Sequence, residues 1–214
     1  MERRFCIETG SWDRADDAQR DMLRGLFGER AQRRYELYFH WYNLVHELGH
    51  IIAMCGAQPR AHPAEEERLV NDFAVAFWRS YGEEEKLSEL RALVNDALKR
   101  FSAPVHDDRE YMAWARKNWS SPAMSTFNNY GWFQFQCVSR ALDADIGLPA
   151  AVYALSGRQI KPLRETRRYP ADGEMAKRVL EDTVRIIRSW GLDIPERVGL
   201  VWSDDVNCHR CRVE

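Results

Sequence analysis

Apolar residues recur along most of this chain at spacings of three and four, the period of an α-helix with one buried face. A first helix is predicted over 12–27, with Ser11 as its cap, Leu23, Leu26 and Phe27 inward, and Gly28 as its stop. A second, long one is predicted over 30–54, where Tyr38, Trp41, Tyr42, Val45, Leu48 and Ile52 share a stripe that Gly56 and Pro59 bring to an end. Pro63 suits the first turn of a third helix, running to about residue 81. Gly82 separates it from a fourth over 83–101, whose stripe is Leu87, Leu90, Leu93, Val94, Leu98 and Phe101. Further on, 106–119 reads as helix and Ser120-Ser121-Pro122 as a break. Residues 130–136 alternate like a short strand, and 137–142 read as helix. A loop is predicted over 156–170, a last helix over 172–190, and a polar, loose tail over 203–214. The expected architecture is one mostly α domain over 1–202 plus that tail, with a β element near 130–136.

Composition narrows the classes of partner. Hydrophobic residues make up 45% and charged residues 30%, a globular balance that excludes a disordered chain. A net charge of −2 gives no electrostatic basis for binding nucleic acid or an anionic membrane, and Arg164, Arg167 and Arg168 form only a local cluster. Five cysteines, an odd and scattered set, suit a reducing compartment better than a disulfide framework. The first residues lack the apolar stretch of a secretory signal, and no run is long enough to span a bilayer. The expectation is a cytoplasmic protein with neither nucleic-acid nor membrane partner; its oligomeric state stays open.

The second helix carries His46-Glu47-Leu48-Gly49-His50, an HExxH. Positions i and i+4 lie on one helical face, so His46 and His50 present two imidazole nitrogens to one point, half of a tetrahedral zinc site. Glu47 projects beside that face, where it can take a proton from water at the metal without ligating it. A shuffled chain of this composition would hold such a motif only about one time in a hundred. The motif also sits in an apolar run, where two histidines and a glutamate are costly to bury without a purpose. Catalytic zinc takes three protein ligands, so a third has to come from elsewhere. A further His at the spacing H-E-x-x-H-x-x-G-x-x-H is absent; Glu65, Glu66 and Glu67 open the next helix, which a short loop makes antiparallel to the first. Glu65 points outward. Glu66 and Glu67 both lie near the apolar edge, and Glu67 has Asn71 at i+4 as an orienting amide. Periodicity leaves both carboxylates open.

The stretch Asn43-Leu44-Val45-His46-Glu47-Leu48-Gly49-His50, followed by Glu67-Arg68-Leu69-Val70-Asn71-Asp72-Phe73-Ala74, resembles the ImmA/IrrE family of metallopeptidases. That family pairs an HELGH helix with a helix reading E-x-x-A-N-x-F-A. The resemblance covers residues 43–74 alone and has Val70 where the family carries a small residue. It implies His46, His50 and Glu67 as ligands of one Zn²⁺ per chain, Glu47 as general base and Asn71 beside Glu67. The function expected is hydrolysis of a peptide bond by water at the metal, through limited cleavage of a particular protein or peptide.

Candidates for a second electrophile are His106, Tyr111 and Tyr130. Cys208-His209-Arg210-Cys211 supplies only half a structural metal site and reads as reactive thiols on the tail. Two other functions fit the same residues: a metal-dependent hydrolase or other enzyme acting on a small molecule, and a non-catalytic, zinc-stabilised interaction protein.

Overall fold

The structure is a computed structural model that describes residues 4–163 and 165–213; Arg164 of the arginine cluster and the first three residues lie outside them. Nine α-helices and three strands are formed by the described residues. A strand β1 (Phe5–Gly10) leads to a 3₁₀ turn at Trp12–Arg14 and helix α1 (Asp17–Phe27). The helix expected from residue 12 thus starts late. Ala15 is extended, and Asp16 caps instead of Ser11, its carboxylate accepting from Gln19 N while the Gln19 side chain reaches back to Asp16 N. Gly28 stops it as expected, at φ 77°.

The long second helix is continuous but not uniform. Helix α2 (Ala31–Tyr35) passes through a wider π stretch, Glu36–Tyr42, into helix α3 (Asn43–Cys55). The amide of Asn43 reaches back five residues to Tyr38 O. This wide turn lets adjacent residues Tyr38 and Phe39 line the same cavity as Asn43 and Glu47. Helix α4 (Pro63–Tyr81) has the predicted bounds, with His62 Nδ1 accepting from Ala64 N at its start. The two helices are antiparallel, since His50 meets Glu66, Gly49 meets Val70 and Phe73, and Trp41 stacks on Trp78 at 4.0 Å.

Gly49 makes this crossing close. A Cβ there would lie 3.0 Å from Val70 Cβ and 3.1 Å from Phe73 Cδ1. Alanine gains about 1 kcal/mol of helix propensity over glycine, against about 1–3 kcal/mol for forcing a carbon into a filled interface. Gly49→Ala is therefore expected to destabilise the wild type and to stabilise a Val70→Ala background. Denaturant unfolding of the four proteins in that cycle measures the change of sign; the same effect in both backgrounds would show that the crossing is not tight there.

Helices α5 (Glu84–Leu98), α6 (Tyr111–Asn118), α7 (Phe127–Asp143), α8 (Leu148–Ser156) and α9 (Met175–Ser189) complete the helical layer. Two expectations fail here. The strand expected near 130–136 is part of α7, capped by Thr126, whose hydroxyl accepts from Asn129 N. Packed on several sides, α7 buries Trp132, Phe133, Phe135, Cys137 and Val138 almost all round, and that apolar ring imitated a strand's alternation. Nor is the expected tail loose over its described part, 203–213; Glu214 lies outside the described residues. Strands β2 (Val198–Ser203) and β3 (Arg210–Val213) flank β1 in the order β2-β1-β3, with β2 parallel (Ile7 opposite Leu200) and β3 antiparallel (Ile7 opposite Cys211). Between them Val206 is fully buried, its carbonyl accepting from the Tyr35 hydroxyl. The whole forms a single mostly helical domain with a small sheet joining the two ends of the chain. Among the described residues no helix is long and apolar enough to cross a membrane.

Candidate metal site

His46, His50 and Glu67 come together where α3 crosses α4, with one potential ligand atom from each within 4.8 Å of the others. Glu67 Oε2 lies 3.3 Å from His46 Nε2 and 3.7 Å from His50 Nε2. His46 and Glu67 are buried, and His50 is half-buried. Two imidazoles and a carboxylate converging in this way can hold a metal ion, and the donor set is that of nitrogen-and-oxygen sites for divalent ions.

The other ring nitrogen of each histidine is held from behind. His50 Nδ1 donates to Glu66 Oε1 at 2.9 Å, and Arg60 Nη2 donates to both oxygens of Glu66, at 3.1 and 3.0 Å. A carboxylate only accepts, so His50 Nδ1 carries a proton, which leaves Nε2, on the Glu67 side, as the nitrogen that would meet a metal. His46 Nδ1 lies 3.2 Å from Asn71 Oδ1. The orientation of that amide is fixed, because Asn71 Nδ2 donates to Glu67 O and Gln134 Oε1, while the Tyr42 hydroxyl donates to Oδ1 at 2.8 Å. Glu66 and Glu67 thus take different parts: Glu67 faces the point where the three groups converge, and Glu66 orients His50.

Burial penalises the Glu67 charge, but the two histidines outweigh it and hold the carboxyl well below the usual range. Burial likewise disfavours charge on His50, yet Glu66 and Glu67 together raise its pKa well above the ordinary value. Replacing Glu66 by glutamine keeps a group at His50 Nδ1 but removes the carboxylate that makes the imidazole a stronger donor. The expected result is metal affinity lowered about 10–100-fold with the bound stoichiometry unchanged at saturation, as a competitive chelator titration would read it. An affinity equal to wild type would show that Glu66 does not act on the metal through His50.

Glu47 lies on α3 between His46 and His50 in sequence and is buried; Asn43, one turn earlier, donates Nδ2 to its Oε1 at 3.1 Å. Both residues line an open cavity of about 510 Å³ that His46 also borders. Gln134 and Tyr130, one turn apart on α7, face the site. Gln134 Nε2 donates to Glu67 Oε2 at 2.8 Å and to the Tyr130 hydroxyl at 3.0 Å; that hydroxyl is 3.4 Å from Glu67 Oε1, long for such a bond. His106, by contrast, is exposed before α6 and does not line the cavity, and Tyr111 packs in a satellite core with Ala115, Trp132 and Phe133.

Four residues at the site escaped the sequence reading: Tyr42, Asn43, Arg60 and Gln134. Asn43 stands four before Glu47, and Gln134 four after Tyr130, which is the helical spacing that marks such partners once the segment is known to be helix.

Cys208 and Cys211 form no second centre, since the His46–His50–Glu67 group is the one convergence of three such ligands among the described residues. Burial pushes the Cys211 thiol up to about 12 and also raises Cys208, the opposite of reactive tail thiols. His209 is structural: Nε2 donates to Val206 O, Nδ1 accepts from the Thr9 hydroxyl, and the ring stacks on Phe39 at 3.7 Å. Burial pushes its pKa down to about 3, so it is neutral at physiological pH.

Comparison with protein-family models, with curated proteins and with solved structures finds no match for this chain.

Proposed function

We propose that the protein is a zinc-dependent metallopeptidase that makes limited cuts in a protein or peptide substrate. The observation that carries this reading is the division of labour at one helix crossing: three ligand atoms converge, and a fourth group, Glu47, stands beside them on the wall of an open cavity. The motif resemblance to ImmA/IrrE metallopeptidases supports the same reading. Zinc, when bound, polarises the substrate carbonyl and brings the acidity of water close to neutrality.

Glu47 takes the proton from the attacking water and delivers it to the departing amine. Asn43 holds one Glu47 oxygen at 3.1 Å, which orients the carboxylate for that transfer. Tyr130 is our candidate for donating to the developing oxyanion, with Gln134 fixing its hydroxyl. Glu66 and Asn71 keep both imidazoles turned towards the centre.

A degenerate peptide mixture incubated with the protein and read by mass spectrometry tests the proposal. Cleavage is expected from zinc-loaded protein, lost on chelation and restored by zinc. Cleavage that survives complete removal of metal would overturn it. A second reading, a metal-dependent hydrolase of a small molecule, is favoured by the size of the cavity, which suits one small ligand. Intact peptides beside turnover of a small ester or amide would select it.

A further inference from the structure

The cavity beside Glu47 has an uneven chemistry. Among the described residues its lining carries no Lys, Arg or Asp, and Glu47 is its sole carboxylate. His209, on the wall formed by the C-terminal segment, is neutral with both ring nitrogens engaged. The rest is largely aromatic and aliphatic, including Leu26, Phe101, Trp119 and Phe135. An acidic side chain entering here would lose its hydration without meeting a Lys or Arg, and a basic one would find only Glu47, which the reaction engages. The Asn207 side chain remains to meet a backbone.

Two further features point the same way. Phe127 and Tyr130, one turn apart on α7, line the cavity and stay 46% and 41% exposed, although Phe101 meets the first ring and Trp119 the second. Next to Tyr130, and one turn after Phe127, Gly131 leaves room that the Phe101 ring occupies: a Cβ would meet Phe101 Cζ at 2.7 Å. Phe101 in turn packs against Phe127 and Phe135, at centroid distances of 5.9 and 5.6 Å. The volume of the cavity is therefore set by how far the Phe101 ring can seat on Gly131.

The geometry points to a subsite for one bulky apolar side chain of the substrate, flanking the bond that Glu47 serves, with Phe101 and Gly131 as its size-determining residues. This rests on the peptidase reading, but binding tests it apart from catalysis. Blocked hexapeptides identical except for Phe, Ala, Asp or Lys at one position, each carrying a fluorophore, are titrated into zinc-loaded full-length Glu47→Gln protein and read by fluorescence anisotropy.

The Phe peptide is expected to bind at least about tenfold tighter than the Ala, Asp or Lys peptide. In a Phe101→Ala background the best side chain should shift from Phe to Trp, and Gly131→Ala, which drives the ring into the cavity, should weaken Phe while sparing Ala. Phe101→Leu serves if Phe101→Ala does not fold, as judged by circular dichroism. Equal binding of all four peptides, binding of none, or a size preference unmoved by both substitutions overturns the subsite. A Phe preference without any cleavage by the wild type would leave the subsite standing and count against the peptidase alone.

Discussion

Glu47→Gln is expected to leave the metal bound and to lower turnover by about 10²–10⁴-fold, the usual contribution of a positioned general base. The separation of the two effects follows from the geometry. Glu47 is not among the three groups whose ligand atoms converge, so its charge is not needed to hold the ion. Glutamine fills the same volume and still meets Asn43, leaving the packing of α3 undisturbed. What it cannot do is accept a proton. Metal analysis and initial rates on the same preparation check both halves. A variant that keeps its metal and its rate would remove Glu47 from the chemistry; one that loses metal and rate together would make it a ligand.

Glu67→Ala is expected to have the opposite profile. Structural zinc is worth about 10–16 kcal/mol shared over four ligands, so losing one costs affinity by about 10²–10³-fold. The loss at Glu66 should be smaller, because Glu66 touches His50 from behind and Arg60 shares its charge. The order Glu67→Ala well below Glu66→Gln, in a chelator titration, therefore separates ligand from orienting group. The reverse order would exchange their parts. Thermal unfolding of the same variants also distinguishes a catalytic site from a structural one: a zinc-stabilised scaffold would lose its fold with Glu67, whereas a catalytic centre loses chiefly the metal.

What could be read from the sequence was local. The pairing of His46 with His50 is a consequence of helical period alone, and so are the bounds of α4, marked by Pro63 and Gly82. Choosing between Glu66 and Glu67 was beyond periodicity. Both sit near the edge of the apolar face, and only the antiparallel contact with α3 aims one at His46 and the other at the back of His50. The resemblance to ImmA/IrrE implied Glu67, which is the carboxylate that converges with the histidines.

What escaped was non-local. The strands β2 and β3 find their partner β1 at the far end of the chain, and no nearby residue encodes that pairing. The buried surroundings of α7 gave Tyr130 to Gln136 a false strand pattern, and with it hid Gln134, whose amide joins Glu67 to Tyr130. The π stretch at Glu36–Tyr42 was equally silent, since one widened turn shifts which faces meet without changing which residues are apolar.

The central claim is that this helix crossing holds one catalytic metal, and the zinc content of the purified full-length protein tests it most directly. Elemental analysis after reconstitution and exhaustive dialysis is predicted to give one zinc per chain, falling towards zero in His46→Ala, His50→Ala and Glu67→Ala. No stoichiometric metal in the wild type, or full retention in all three variants, would contradict it.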